Sequence, residues 1–169
     1  MNIFKNDRGI TLIELILTLG VLGILLILIY SVNLFGIQTF SKGDKQSVVQ
    51  NEIREASAFI TKEIRIATEI SLTTMPSTFD PLFHYIYIKD SYMKHTYNNV
   101  TKNITSNMIT ELIPMFQLEK LNNKKNMLVF ELKSSLAGNS FDLKSEILLN
   151  NKSDVPSATN QVIKYKKPT

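Results

Sequence analysis

Cysteine and tryptophan are absent from this 169-residue chain, histidine occurs twice, and none of its five prolines comes before Pro76. Without cysteine there is no disulfide, no thiolate zinc site and no cysteine for a lipid anchor. Two histidines, His84 and His95, are too few for a histidine-rich metal site, so neither a metal nor a cofactor is expected. Alanine first appears at Ala56, which leaves the early apolar stretch without the small-x-small cleavage site of a secretory signal peptide. Charge of one sign is not clustered either. The net charge of +4 comes from dispersed basic residues, and Ile, Lys and Asn together supply 51 of the 169 residues. That bias accounts for the lysines by itself, and nucleic acid is not an expected partner.

What is present is strongly asymmetric. A short polar segment, Met1 to Gly9, carries Lys5 and Arg8, and from Ile10 to Tyr30 the only charged residue is Glu14. Such a run, as a helix rising 1.5 Å per residue, is about 30 Å long, the thickness of a bilayer's hydrocarbon core. Basic residues precede the span and the next is Lys42. The positive-inside bias therefore predicts one pass of the cytoplasmic membrane, N-terminus in and C-terminus out.

A plain signal anchor explains the length and the charge bias but not Glu14. An ionisable group in an apolar helix costs about 2.5–3.5 kcal/mol at mid-membrane and less near the interface. A partner is created if the bond after Gly9 is cut, because Ile10 then gains a free ammonium group. Residues 10 and 14 lie one turn apart on one helical face. The pair can neutralise itself within a chain, or Glu14 can meet the amine of a neighbouring chain and fix the axial register between subunits.

The stretch Arg8-Gly9-Ile10-Thr11-Leu12-Ile13-Glu14-Leu15, followed by an apolar span, resembles the class III leader of type IV prepilins and type II secretion pseudopilins. The resemblance implies cleavage by a membrane prepilin peptidase after Gly9 and N-methylation of Ile10. It also implies a role for Glu14 in subunit register and assembly. Ile10 stands where the family more often has Phe, a departure that bears on methylation rather than on cutting. Other pilins or pseudopilins, an assembly ATPase and a platform protein are the implied partners, with membrane lipid surrounding the helix before assembly.

Beyond the span nothing forces the helix to stop, although Gly36 and Gly43 are weak points. Val49, Ile53, Ala56, Ile60, Ile64 and Ala67 recur at steps of four and three, with Glu52, Arg54, Glu55, Lys62, Glu63, Arg65 and Glu69 on the other faces. This pattern predicts an amphipathic helix packed on its own domain. Residues 54–67 also resemble minor pilins and pseudopilins of the PilW, GspJ and ComGF kind. That likeness and the absence of a late-span proline favour a minor subunit over a major one.

Strand signals follow Pro76. His84–Ile88 is β-branched and aromatic, and 127–133 and 141–148 alternate as an antiparallel hairpin joined by a longer loop near Leu136–Asn139. Val162–Tyr165 is expected at a sheet edge, and 90–111 as a polar loop with a short helix near Met108–Leu112. The expected fold class is α+β: a long N-terminal helix packed on a small antiparallel β-sheet head. The predicted organisation is a leader at 1–9, a helix at 10–72 with its transmembrane part at 10–33, and a head at 73–169.

The head offers little chemistry. Asp80, His84 and Asp90 lack a nucleophile or glycine-rich elbow beside them. His84 reads as a satisfied or surface histidine, and Lys164, Lys166 and Lys167 as a solubilising tip. No catalytic residue is expected. The leading expectation is a structural subunit of a type IV pilus, a secretion pseudopilus or a competence pseudopilus for DNA uptake, ending at the cell surface. The alternative is a signal-anchored membrane protein with an extracytoplasmic ligand-binding or sensing head. Processing at Gly9 separates the two.

Overall fold

With no proline to interrupt it, the chain forms one continuous helix, α1 (Leu12–Ile66). The computed structural model describes residues 10–112, 115–121, 125–149 and 158–168. The chain divides into two compact units, Met1–Gly43 and Asp44–Thr169, and α1 runs through both.

In the first unit every large apolar side chain from Ile10 to Phe40 is exposed in the single chain. This part of α1 is long and apolar enough to cross a membrane. Three polar side chains within it fold back onto the helix. Thr18 Oγ1 donates to Leu15 O at 2.9 Å, Ser31 Oγ to Ile27 O at 2.8 Å, and Asn33 Nδ2 to Ile29 O at 3.0 Å. Hydrocarbon requires such internal satisfaction, because it offers no partner of its own.

In the second unit α1 buries Val49, Ile53, Ala56, Ile60 and Ile64, the stripe that the periodicity marks. Among the described residues ten strands follow, in two antiparallel five-stranded sheets, where a single small sheet was expected. The first sheet contains β1 (Glu69–Thr73), β2 (His84–Lys89), β3 (Tyr92–Tyr97), β4 (Val100–Asn103) and β10 (Val162–Lys166), in the order β1-β10-β2-β3-β4. The second contains β5 (Ile109–Thr110), β6 (Phe116–Leu121), β7 (Lys125–Leu136), β8 (Asn139–Leu149) and β9 (Ala158–Asn160). Its order is β5-β7-β6-β9, with β8 also paired to β7. Ile86 and Ile163 of the first sheet, Phe116, Leu128 and Phe130 of the second, and Ile53 and Ile60 of α1 share one core.

Several elements differ from expectation, each for a physical reason. The helix ends at Ile66 rather than continuing to 72, because Thr68 N and Oγ1 both donate to Lys166 O, at 2.8 and 3.2 Å. From there β1 pairs with β10 from Glu69↔Lys166 to Thr73↔Val162. β10 is accordingly an inner strand between β1 and β2, not an edge. The expected 90–111 loop and helix are instead strands β3, β4 and β5. The polar pairs Asp90-Ser91 and Asn98-Asn99 both have positive φ, 57° and 65° then 48° and 61°, and close two-residue hairpins at Lys89↔Tyr92 and Tyr97↔Val100. The expected 127–148 hairpin forms, but Ala137-Gly138 closes it as a two-residue turn (φ 48° and 84°) rather than a longer loop.

Candidate functional site

Of the residues singled out at the N-terminus, Gly9 lies outside the described residues. Ile10 is exposed just ahead of α1, and Glu14 sits in its first turn. The Glu14 carboxylate is not bare. Its Oε2 accepts the Thr11 backbone N–H at 3.0 Å and the Thr11 hydroxyl at 2.9 Å, while Glu14 N donates to Thr11 Oγ1 at 3.3 Å. Thr11 is the N-cap of α1 and Glu14 its third residue, so the two form a reciprocal capping box. A carboxylate in the first turn also faces the positive end of the helix dipole. The signal was in the sequence as Thr-x-x-Glu ahead of an apolar run, and the reading of the charge alone passed over it.

Along the exposed part of α1, Gly20, Gly23 and Gly36 have no atom within 4 Å of where a Cβ would stand, apart from their chain neighbours and the adjoining backbone of the helix itself. These positions leave room for the backbone of another helix to approach.

The second constellation lies in the head, where the register of three strands places it. His84 pairs with Tyr165 across β2–β10, and Ile86 pairs with His95 across β2–β3, so both histidines and Tyr165 share the helix-facing side. Glu63, on the last full turn of α1, is buried at 6% exposure, although the sequence pattern put it among solvated residues. A chain of polar contacts joins these groups. Lys167 Nζ lies 2.8 and 3.1 Å from the two carboxylate oxygens of Glu63, and the Tyr165 hydroxyl donates to Glu63 Oε2. His95 Nε2 is 3.1 Å from both Tyr165 Oη and His84 Nδ1. Tyr97 stacks on the His84 ring with centroids 3.9 Å apart, and Phe59 meets His95 edge-on at 5.4 Å.

Burial governs the protonation of the cluster. It lowers His95 to about 4 against the pull of Glu63, and it lowers His84, aided by the charge of Lys167. Burial and the bond to Glu63 raise Tyr165. Burial pushes Glu63 up, but the hydrogen bonds from Lys167 and Tyr165 and the neighbouring positive charge, that of Lys167 foremost, together outweigh it, and the carboxyl stays below its ordinary value. At neutral pH the cluster therefore comprises a carboxylate, two neutral imidazoles and a neutral phenol.

Asp80, His84 and Asp90 do not converge. Asp80 Oδ1 accepts the Leu82 N–H at 3.0 Å, and Asp90 pairs with Lys94 at 2.8 Å in the turn beyond the far end of β2 from His84. Of the C-terminal lysines, Lys164 lies over the Phe83 ring at 3.8 Å and Lys167 is held by Glu63, while Lys166 is exposed.

Residues 4–30 match the family model described as the prokaryotic N-terminal methylation motif. No curated protein matches the chain in sequence. Among solved structures, a point mutant of the PilB minor pilin from Streptococcus sanguinis is similar in fold, with a TM-score of 0.55 at 14% identity over 71% of this chain. The match covers 34% of that protein, so this chain spans about a third of the length of the structure it resembles.

Proposed function

We propose that this chain, a type IV pilin-like protein by its N-terminal motif and its α+β fold, is a minor structural subunit of a pilus or pseudopilus. The single observation that carries the reading is the coincidence, in one register, of the methylation motif at residues 4–30 with the start of α1 and its apolar exposed surface. A prepilin peptidase cuts after Gly9, Ile10 becomes the methylated N-terminus, and α1 passes from lipid into a bundle of like helices. In lipid the capping box holds the Glu14 charge. In the bundle the same carboxylate exchanges its Thr11 bonds for the ammonium of a neighbouring Ile10. The leader faces the cytoplasm, the head is delivered outside, and the role is structural rather than catalytic. An assembly ATPase and a platform protein drive the step without touching the head. The likeness to a minor pilin's fold supports the minor position, and a competence pseudopilus is one setting in which such a subunit serves.

The deciding experiment is N-terminal mass spectrometry of the protein from its own cells, with Gly9 and Glu14 variants alongside. A mature chain beginning at methylated Ile10 is the expected result. Gly9→Val blocks the cut, and Glu14→Ala is cut normally but fails to enter filaments. A chain still carrying its leader beside an active prepilin peptidase overturns the proposal and leaves a signal-anchored protein with an extracytoplasmic head.

A further inference from the structure

The polar cluster in the head has a deficit of protons. Tyr165 has one hydroxyl proton and gives it to Glu63. The contact between Tyr165 Oη and His95 Nε2 then requires the proton on His95 Nε2, and that same N–H faces His84 Nδ1 at equal distance, 3.1 Å. The other tautomer, with the proton on His84 Nδ1, leaves Tyr165 Oη and His95 Nε2 meeting lone pair to lone pair. Either arrangement leaves one acceptor short in a largely buried site, where an unmet acceptor is costly.

We propose that Glu63, His84 and His95 form a binding site for a divalent transition-metal ion of the zinc class, with Tyr165 Oη or a water as fourth ligand. One ligand atom from each of the three residues lies within 4.8 Å of the others. Ligands about 2.0–2.1 Å from a tetrahedral ion are spaced about 3.3 Å apart, so the two imidazole nitrogens already stand close to an edge of that tetrahedron. Two imidazoles and a carboxylate suit zinc, whereas calcium and magnesium take all-oxygen shells.

The resident cation is Lys167. Its ammonium group grips both Glu63 oxygens, yet its side chain keeps 31% exposure and comes from the residue just past the end of β10. A divalent ion replaces it at the carboxylate, and the lysine swings into solvent. The ion then ties the last full turn of α1 to β2 and β3, and stabilises the folded head by mass action. This inference concerns the head alone and does not rest on processing or assembly.

The test uses the full chain in detergent micelles, stripped by a chelator and titrated with Co2+ and then Zn2+. An equimolar Co2+ complex with the visible absorption of a four-coordinate site is expected. Zn2+ displaces the Co2+ and raises the unfolding temperature of the head by several degrees. His84 and His95 are the only histidines in the sequence, so an imidazole signature in X-ray absorption belongs to this site. His84→Ala and His95→Ala each weaken Zn2+ at least tenfold. Lys167→Ala, which keeps all three ligands, tightens it several-fold by removing the competitor. The absence of saturable equimolar binding by the unaltered chain overturns the proposal. So does binding that survives removal of both histidines. The first criterion needs no variant, so a variant that fails to fold does not shelter the idea.

Discussion

The Glu14 carboxylate accepts both the backbone N–H and the hydroxyl of Thr11, three residues before it, and so closes the first turn of α1 upon itself. A charge that looks isolated in an apolar run is thus held by neutral donors of its own chain. On the proposed function, Glu14 is tolerated in lipid and remains free to take a stronger partner, because hydrogen bonds to neutral donors are weaker than a charge-assisted bond to an ammonium group.

Thr11→Ala removes both side-chain contacts of the cap and costs about 1 kcal/mol at the helix start. Amides of the first turn, measured by hydrogen exchange in micelles, should exchange about fivefold faster by that figure. Thr11→Ser, which keeps the hydroxyl, should stay close to the original rate. Equal rates in all three proteins would show that the box contributes nothing.

Ala137 carries φ 48° in the β7–β8 turn, a left-handed conformation that suits Asn or Gly better than Ala. Ala137→Asn should stabilise the head by about 0.5–1 kcal/mol, read as a higher urea midpoint with an unchanged slope. An unchanged or lower midpoint would mean that the turn is not strained.

Ile60 is fully buried where α1 meets the shared core. Ile60→Ala should cost about 2–5 kcal/mol through lost burial and the cavity left behind. Arg54→Ala, at an exposed position on the same helix, should change stability by less than about 0.5 kcal/mol. Similar midpoints for the two variants would contradict the packing of α1 in the second unit.

Stability of the head should fall as the pH drops from about 6.5 toward 4. Burial lowers His95 from 6.5 to about 4, so within that window the unfolded chain binds a proton that the folded head refuses. His84, also lowered, acts in the same direction. Glu63 is held below its ordinary 4.5, and its contribution is lost at the acid end as the carboxyl protonates. For His95 the full displacement corresponds to about 3 kcal/mol, less to the extent that water reaches the partly buried ring. Unfolding temperature against pH should slope downward below 6.5 in the original protein and less steeply in His95→Gln. A flat profile in the original would refute the assignment.

Local pattern was a good guide where the environment repeats along one element. The step of four and three from Val49 to Ile64 marked the buried stripe, and alternation at 127–133 and 141–148 marked the longest hairpin. It misled at Glu63, which occupies a charged sequence position yet faces the core. It misled again at Asp90-Ser91 and Asn98-Asn99, where polar pairs read as loop are the tight turns that make a meander. The pairs do carry a turn signal, but a single polar dipeptide has many other uses in an Asn-rich chain.

The sequence by itself determined the apolar span, the Gly9–Glu14 motif, the capping pair and the amphipathic continuation, because each depends on residues within a few turns of one another. Only the tertiary structure decided that β10 is an inner strand, that Glu63 is buried, and that His84 and His95 share one site with Tyr165. Those outcomes hang on pairings across great sequence separation, Glu69 with Lys166 and Tyr165 with Glu63, and on strand register. A one-residue slip in register would turn every side chain of a strand to its opposite face. No local period records that choice, which is made by the core as a whole.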